Sequence, residues 1–184
     1  MLAAGLPAGS MLQARDGRAA LTFTAVMEGR HVAPAPAPVE TTATARATAV
    51  LVGHRLTVHG SFSGLASPLR DLIKTPNDPG VHLHRGAPGE TSPYFHGLQV
   101  TLNADERSGI FYGAATLTDD QLKALLAGTL YVDIHTVKFG PGEVRGQWRP
   151  LDPEATARRL LAIEPVASRA DVPVGGACHA SVDR

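Results

Sequence analysis

Short alternating stretches, each closed by a glycine or proline turn, recur along most of the chain and leave it few architectures. ATARATAVLV (43–52) sets small or polar side chains against apolar ones at every second position. RLTVHGSF (55–62) follows across a Gly53-His54 turn. A period of two sends alternate side chains to opposite faces of an extended strand, so this pair reads as a hairpin with one face for a core. ALTFTAVM (20–27) reads as a first strand and VHLH (81–84) as a later one. HGLQVTLN (96–103) and SGIFYGAATL (108–117) read as a second hairpin, and LYVDIH (130–135) with EVRGQWRP (143–150) as a final strand pair. With 19 glycines and 14 prolines against only 18% charged residues, the chain reads as all-β: a Greek-key β-sandwich or barrel.

Two segments depart from this pattern. TDDQLKALLAG (118–128) reads as a helix, with Thr118 as N-cap, Asp119 and Asp120 at the positive end of the dipole, and Gly128 as C-cap. EATARRLLAI (154–163) reads as a short appended helix. The proline-rich HVAPAPAPVETT (31–42) imposes extended, solvated backbone, and SPLRDLIKTPNDPG (67–80) reads as irregular. The expected organisation is therefore a disordered start or remnant leader over 1–19, a β domain over 20–150, and a helix with a loose tail over 151–184.

Composition excludes several function classes. Seventeen basic and seventeen acidic side chains cancel, which gives no electrostatic case for nucleic acid or anionic membrane. No apolar run approaches the roughly 18 residues of a membrane-spanning helix. The lone Cys178 excludes an intrachain disulfide and a cysteine-based zinc site. Its neighbour His179 does not complete a haem-attachment motif. Nucleophile elbows, phosphate loops and paired catalytic carboxylates are missing from the sequence.

The histidines carry the chemistry. His82 and His84 are two apart on one strand, so their rings project from one surface. His96 follows the return of a Gly-rich loop that begins at Arg85, which places a third imidazole within reach of the pair. His135 ends a strand whose inward face reads apolar, where an unsatisfied ring is costly. Neutral imidazole is a favoured ligand of copper and zinc, and tetragonal nitrogen geometry suits Cu(II). The bland alternative is a set of solvated strand histidines. His31, His54 and His59 are read that way, as loop or hairpin residues. Glu143 and Arg145 share a strand face and are expected to pair, an interaction worth under about 1 kcal/mol at a surface. Beside a metal, Arg145 would draw small anions toward it.

VHLHRGAPGETSP, the hairpin after it, and LTDDQLKALLAGTLYVDIHTVKFGPGEVRGQ resemble the CHRD (chordin-type) domain family over roughly residues 20–149. The resemblance implies an all-β domain in an extracytoplasmic setting, periplasmic or secreted. A more distant similarity is to copper superoxide dismutases, Greek-key sandwiches with an H-x-H pair, a third histidine after a Gly-rich loop, a fourth ending a V-x-H strand, and a guiding G-x-R arginine. Carried over residue by residue, this similarity implies one copper ion (Cu2+/Cu+) per chain on His82, His84, His96 and His135, with Arg145 as guide for superoxide. Three departures stand out: no zinc loop follows His96, Arg145 lies only ten residues past His135, and Cys178 has no partner for those enzymes' disulfide. They imply an open, copper-only site with no zinc.

Three functions compete on this reading. One is superoxide dismutation at mononuclear copper. A second is copper binding or storage without turnover, which predicts negligible superoxide consumption by loaded protein. The third is an extracytoplasmic structural or protein-interaction module, for which no metal co-purifies. Self-association is left open.

Overall fold

The computed structural model describes residues 20–33, 39–70 and 80–163. The leader reading of 1–19, part of the proline-rich and irregular segments, and the tail with Cys178 and His179 lie outside the described residues.

Ten strands, labelled in chain order, form two antiparallel sheets. In the larger sheet, β1 (Leu21–Met27), β2 (Thr44–Val52) and β3 (Arg55–Ser63) run side by side. β7 (Gly109–Thr116) and β6 (Gln99–Leu102) continue it beyond β3, and β10 (Arg149–Pro150) flanks β1. The smaller sheet has the order β5 (Tyr94–Gly97), β4 (Val81–Arg85), β8 (Leu130–Ile134), β9 (Val144–Gln147). The all-β sandwich read from the alternation is the observed fold.

The core lies between the sheets, and the period of two decides its membership. Phe23, Ala25 and Met27 of β1, Ala47, Ala49 and Leu51 of β2, and Leu56, Val58 and Phe62 of β3 face inward. They meet Leu83 of β4, Val132 and Ile134 of β8, and Val144 of β9. Each of these valine, leucine, isoleucine, methionine and phenylalanine side chains, fully buried, contributes about 1.5–3 kcal/mol. Both faces of β4 and β8 are buried: one packs on this core, and the other carries the polar residues described below.

The hairpins over 43–62 and the pairing of β8 with β9 form as expected. Two expected strands are each divided. HGLQVTLN breaks at Leu98, so β5 pairs with β4 while β6 pairs with β7 in the other sheet. EVRGQWRP breaks at Trp148, so β9 pairs with β8 while β10 pairs with β1. At each break a fully buried apolar side chain plunges into the core. Its N–H also bonds across to the smaller sheet, Leu98 to the Val81 carbonyl at 2.9 Å and Trp148 to the Leu130 carbonyl at 3.0 Å. Alternation alone does not register a change of sheet, because the inward–outward period carries on through it.

Helix α1 (Asp119–Leu126) begins with a reciprocal capping box. Thr118 Oγ1 accepts from the Gln121 N–H, and Gln121 Oε1 accepts from the Thr118 N–H. The C-cap is Ala127 rather than Gly128. Gly128 occupies the next position at φ +73°, the left-handed conformation that glycine tolerates without strain. Helix α2 (Pro153–Ile163) follows the last strand. Among the described residues no helix is long and apolar enough to cross a membrane.

The two sheets meet where β9 passes over β1, sealed by reciprocal Glu28–Arg145 backbone hydrogen bonds of 3.1 and 3.2 Å. Gly146 makes this approach feasible, since a Cβ there would lie 2.6 Å from the Val26 carbonyl oxygen. Gly146→Ala must therefore push the strands apart. It should cost about 1–3 kcal/mol, the usual penalty of overpacking, read as a lower urea midpoint.

Candidate metal centre

Strand register assembles the site. β4 and β8 pair with His82 opposite Asp133 and His84 opposite Tyr131. Directly opposed residues share a face, as do residues two apart, so all four side chains leave the sheet on the side away from the core. His135 continues the same parity just past β8. Its backbone is held there by an N–H bond to the Gly80 carbonyl at 2.8 Å and by the Arg70 N–H, which donates to its carbonyl at 2.9 Å.

His82, His84, Asp133 and His135 each offer one ligand atom, and these atoms all lie within 4.8 Å of one another. His84 Nδ1 lies 2.8 Å from the Ser92 carbonyl oxygen, and His135 Nδ1 lies 2.8 Å from that of Gly140. A carbonyl only accepts, so both Nδ1 atoms carry the hydrogen. In neutral imidazole that leaves a lone pair on each Nε2. Each Nε2 sits 3.1 Å from Asp133 Oδ1, and His82 Nδ1 lies 3.9 Å from the same oxygen. Neither His84 Nε2 nor Asp133 Oδ1 has the geometry of a hydrogen bond. With both rings neutral, lone pairs and a carboxylate oxygen face one another in a buried space, a repulsion that a cation among them, or a proton on either Nε2, relieves.

Burial alone would raise the Asp133 carboxyl, but His135 and His84 outweigh it and hold the group down at about 2. The carboxylate is therefore ionised and contributes the anionic donor. Three nitrogens and one carboxylate oxygen, two of the imidazoles oriented by backbone carbonyls, match the donor chemistry of zinc and copper sites, including their outer-shell orientation.

His96, expected as the fourth nitrogen, is elsewhere. It pairs with Leu83, whose side chain lies in the core. Its Nε2 is 3.9 Å from where a Cβ on Gly113 of β7 would stand. The loop after β4 does return, but a register shift between Leu83 and His84 puts Tyr94 opposite His84. Tyr94 then stacks on His82, with ring centroids 4.3 Å apart and planes at 17°. Among the described residues the cluster holds three histidines, and Asp133 takes part in place of a fourth. Asp133 was readable in principle from D-I-H, since it shares a face with His135.

Arg145 lies beside the cluster but does not face it openly. It is directly opposite Asp133 on β9 and almost fully buried. Its guanidinium carbon lies 3.4 Å from the Tyr131 ring centroid, and Tyr131 stacks on His84 at 4.6 Å and 7°. The ring is thus held between a cation and a cluster imidazole from the two flanking strands. Arg145 donates to the carbonyls of Glu90 and Ala87 and to Gln147 Oε1. Burial lowers its pKa from the ordinary value, opposed by Tyr131, Asp133 and Glu90. Burial and then Asp133 raise the Tyr131 phenol, which keeps it neutral.

The expected Glu143–Arg145 pair does not form. Glu143 is fully buried and accepts from Thr41 Oγ1 at 2.6 Å, Thr136 Oγ1 at 2.8 Å and the Ala66 N–H at 2.9 Å. It anchors the base of the turn whose Gly140 carbonyl orients His135. His54 faces the Leu117 carbonyl, His31 the Arg145 carbonyl, and His59 is exposed on β3; none joins the cluster.

The family model of the CHRD domain matches residues 23–148. The chain belongs to the CHRD domain family. No curated protein and no solved structure matches it. In this CHRD domain the matched region contains most of β1, all of β2 to β9 and all four members of the cluster.

Two outcomes follow for the cluster. By isothermal titration with Zn2+ or Cu2+, His84→Ala and Asp133→Asn should each lose more affinity than the roughly 10–100-fold that outer-shell changes cost, while His96→Ala keeps one ion per chain. In metal-free protein the depressed Asp133 carboxyl adds stability that is complete above its unfolded value of 3.8 and is lost as pH falls through about 2. Asp133→Asn should flatten the acid limb of a stability-against-pH curve across that interval.

Proposed function

We propose that this CHRD domain binds one copper ion through His82, His84, His135 and Asp133 and consumes superoxide there. The observation that carries the metal reading is the convergence of one ligand atom from each of His82, His84, Asp133 and His135 within 4.8 Å of one another. The copper assignment is supported by the imidazole-rich donor set and by the order of the H-x-H pair and the later strand-end histidine.

Copper would supply one-electron exchange between Cu(II) and Cu(I), by which one superoxide is oxidised to oxygen and a second is reduced to peroxide with proton uptake. The chain's own groups have distinct parts. The Ser92 and Gly140 carbonyls accept from Nδ1 of His84 and His135 and so aim the Nε2 atoms inward. Asp133 adds one negative charge, which partly offsets that of a divalent ion. Tyr94 and Tyr131 cover His82 and His84 and limit water around them. Arg145 contributes a fixed positive charge behind Tyr131 that favours the approach of a small anion. An extracytoplasmic location belongs to the same proposal, through the family.

A second reading is favoured by enclosure. The four side chains are only 4–13% exposed, and four protein donors complete a closed tetrahedral set of the kind zinc adopts in structural sites. On that reading the ion is held without turnover. The deciding experiment is metal analysis of protein purified without chelator, followed by a superoxide assay after copper loading. Catalysis predicts superoxide loss well above that of free buffer, lowered about tenfold, together with its salt sensitivity, in Arg145→Ala at unchanged copper content. Bound metal with no superoxide consumption establishes the closed-site reading.

A further inference from the structure

A cavity of about 490 Å³ is lined by Arg145 and by no residue of the metal cluster; its size is within the range of small-molecule sites. It forms where β9 crosses β1, under the loop after β4. Its polar lining is one-sided: Arg30, His31, Arg145, Gln147 and Arg149, with no carboxylate among the lining residues. A chain with equal numbers of acidic and basic groups has here placed three arginines around one space.

The charge is only partly compensated. Arg30 pairs with Glu28, which also lies 3.8 Å from His31 Nε2. Arg145 and Arg149 make no ion pair among the described residues. Arg145 is 2% exposed, and its donors reach only neutral oxygens, those of Glu90, Ala87 and Gln147. The carboxylates of Asp133 and Glu90 act on Arg145 without forming an ion pair with it, and an oxyanion matches the planar fork of donors that a guanidinium offers. Val26, Val32 and Pro88 add apolar wall, which favours an organic anion over a bare halide.

We propose that this cavity is a binding site for a small oxyanion, a carboxylate- or phosphate-bearing organic acid, held between Arg145 and Arg149 with Arg30 at the rim. None of the four cluster residues lines the cavity, so it is distinct from the metal ligands, and Arg145 is the one group it shares with the proposed function.

The test uses purified full-length protein, metal-free and zinc-loaded, titrated with citrate, inorganic phosphate and sodium chloride while amide NMR signals are followed. Saturable shifts at Gly89, Arg149 and His31 are expected with citrate or phosphate and not with chloride. The stronger of the two oxyanions identifies the carboxylate or the phosphate class. Arg149→Ala and Arg30→Ala, both at exposed positions, should weaken binding at least tenfold together while zinc affinity is unchanged. Absence of saturable binding by either oxyanion overturns the proposal, as does binding that the double variant leaves intact.

Discussion

Two hydrogen bonds from imidazole to backbone organise this site. By accepting from His84 Nδ1 and His135 Nδ1, the Ser92 and Gly140 carbonyls turn two Nε2 lone pairs onto one buried carboxylate oxygen. With neutral rings this sets acceptors against an acceptor, an arrangement that a cation or a ring proton relieves. The rest of the domain holds it together: the β4–β8 ladder sets the spacing, and the buried Glu143 ties down the turn that presents Gly140. The Leu98 and Trp148 crossovers lock the smaller sheet onto the larger.

Around that centre, aromatic and cationic groups are layered across the face of the smaller sheet. Tyr94 covers His82, Tyr131 covers His84, and Arg145 covers Tyr131. Arg145 therefore belongs to two neighbourhoods, one electrostatically linked to the cluster through Tyr131 and the other lining the basic cavity at the β1–β9 crossing. The segment after β4 serves both, since its Ser92 carbonyl orients His84 while its Ala87 and Glu90 carbonyls hold the guanidinium. Charge in the cavity and the environment of the cluster are thus joined by one strand and one loop.

Much of this was legible in the residues. The period of two and the turn signals located the hairpins and the sandwich, and the parity of His82 and His84 put them on one face. The apolar run from Leu130 placed His135 at a strand end. What was not legible depends on pairing between distant segments. The register shift that gives the position opposite His84 to Tyr94, and sends His96 toward Gly113, has no local signal. The opposition of Asp133 to His82 is a product of the β4–β8 register, which no local pattern around Asp133 specifies. Glu143 and Arg145 did share a parity, but Glu143 lies at the mouth of the strand, where hydroxyls and an amide of three other segments compete successfully for its carboxylate.

The central claim is that the Nε2 atoms of His84 and His135 converge with His82 and Asp133 on one ion. Long-range proton–nitrogen NMR of the imidazoles, recorded during a titration with diamagnetic zinc, addresses it most directly. The account predicts that the ring nitrogens of His82, His84 and His135 shift together and saturate at one equivalent, with Nε2 as the ligating atom in the latter two, while His96 stays in place. Shifts centred on His96, or imidazole signals of the three that are unmoved by metal, would contradict it.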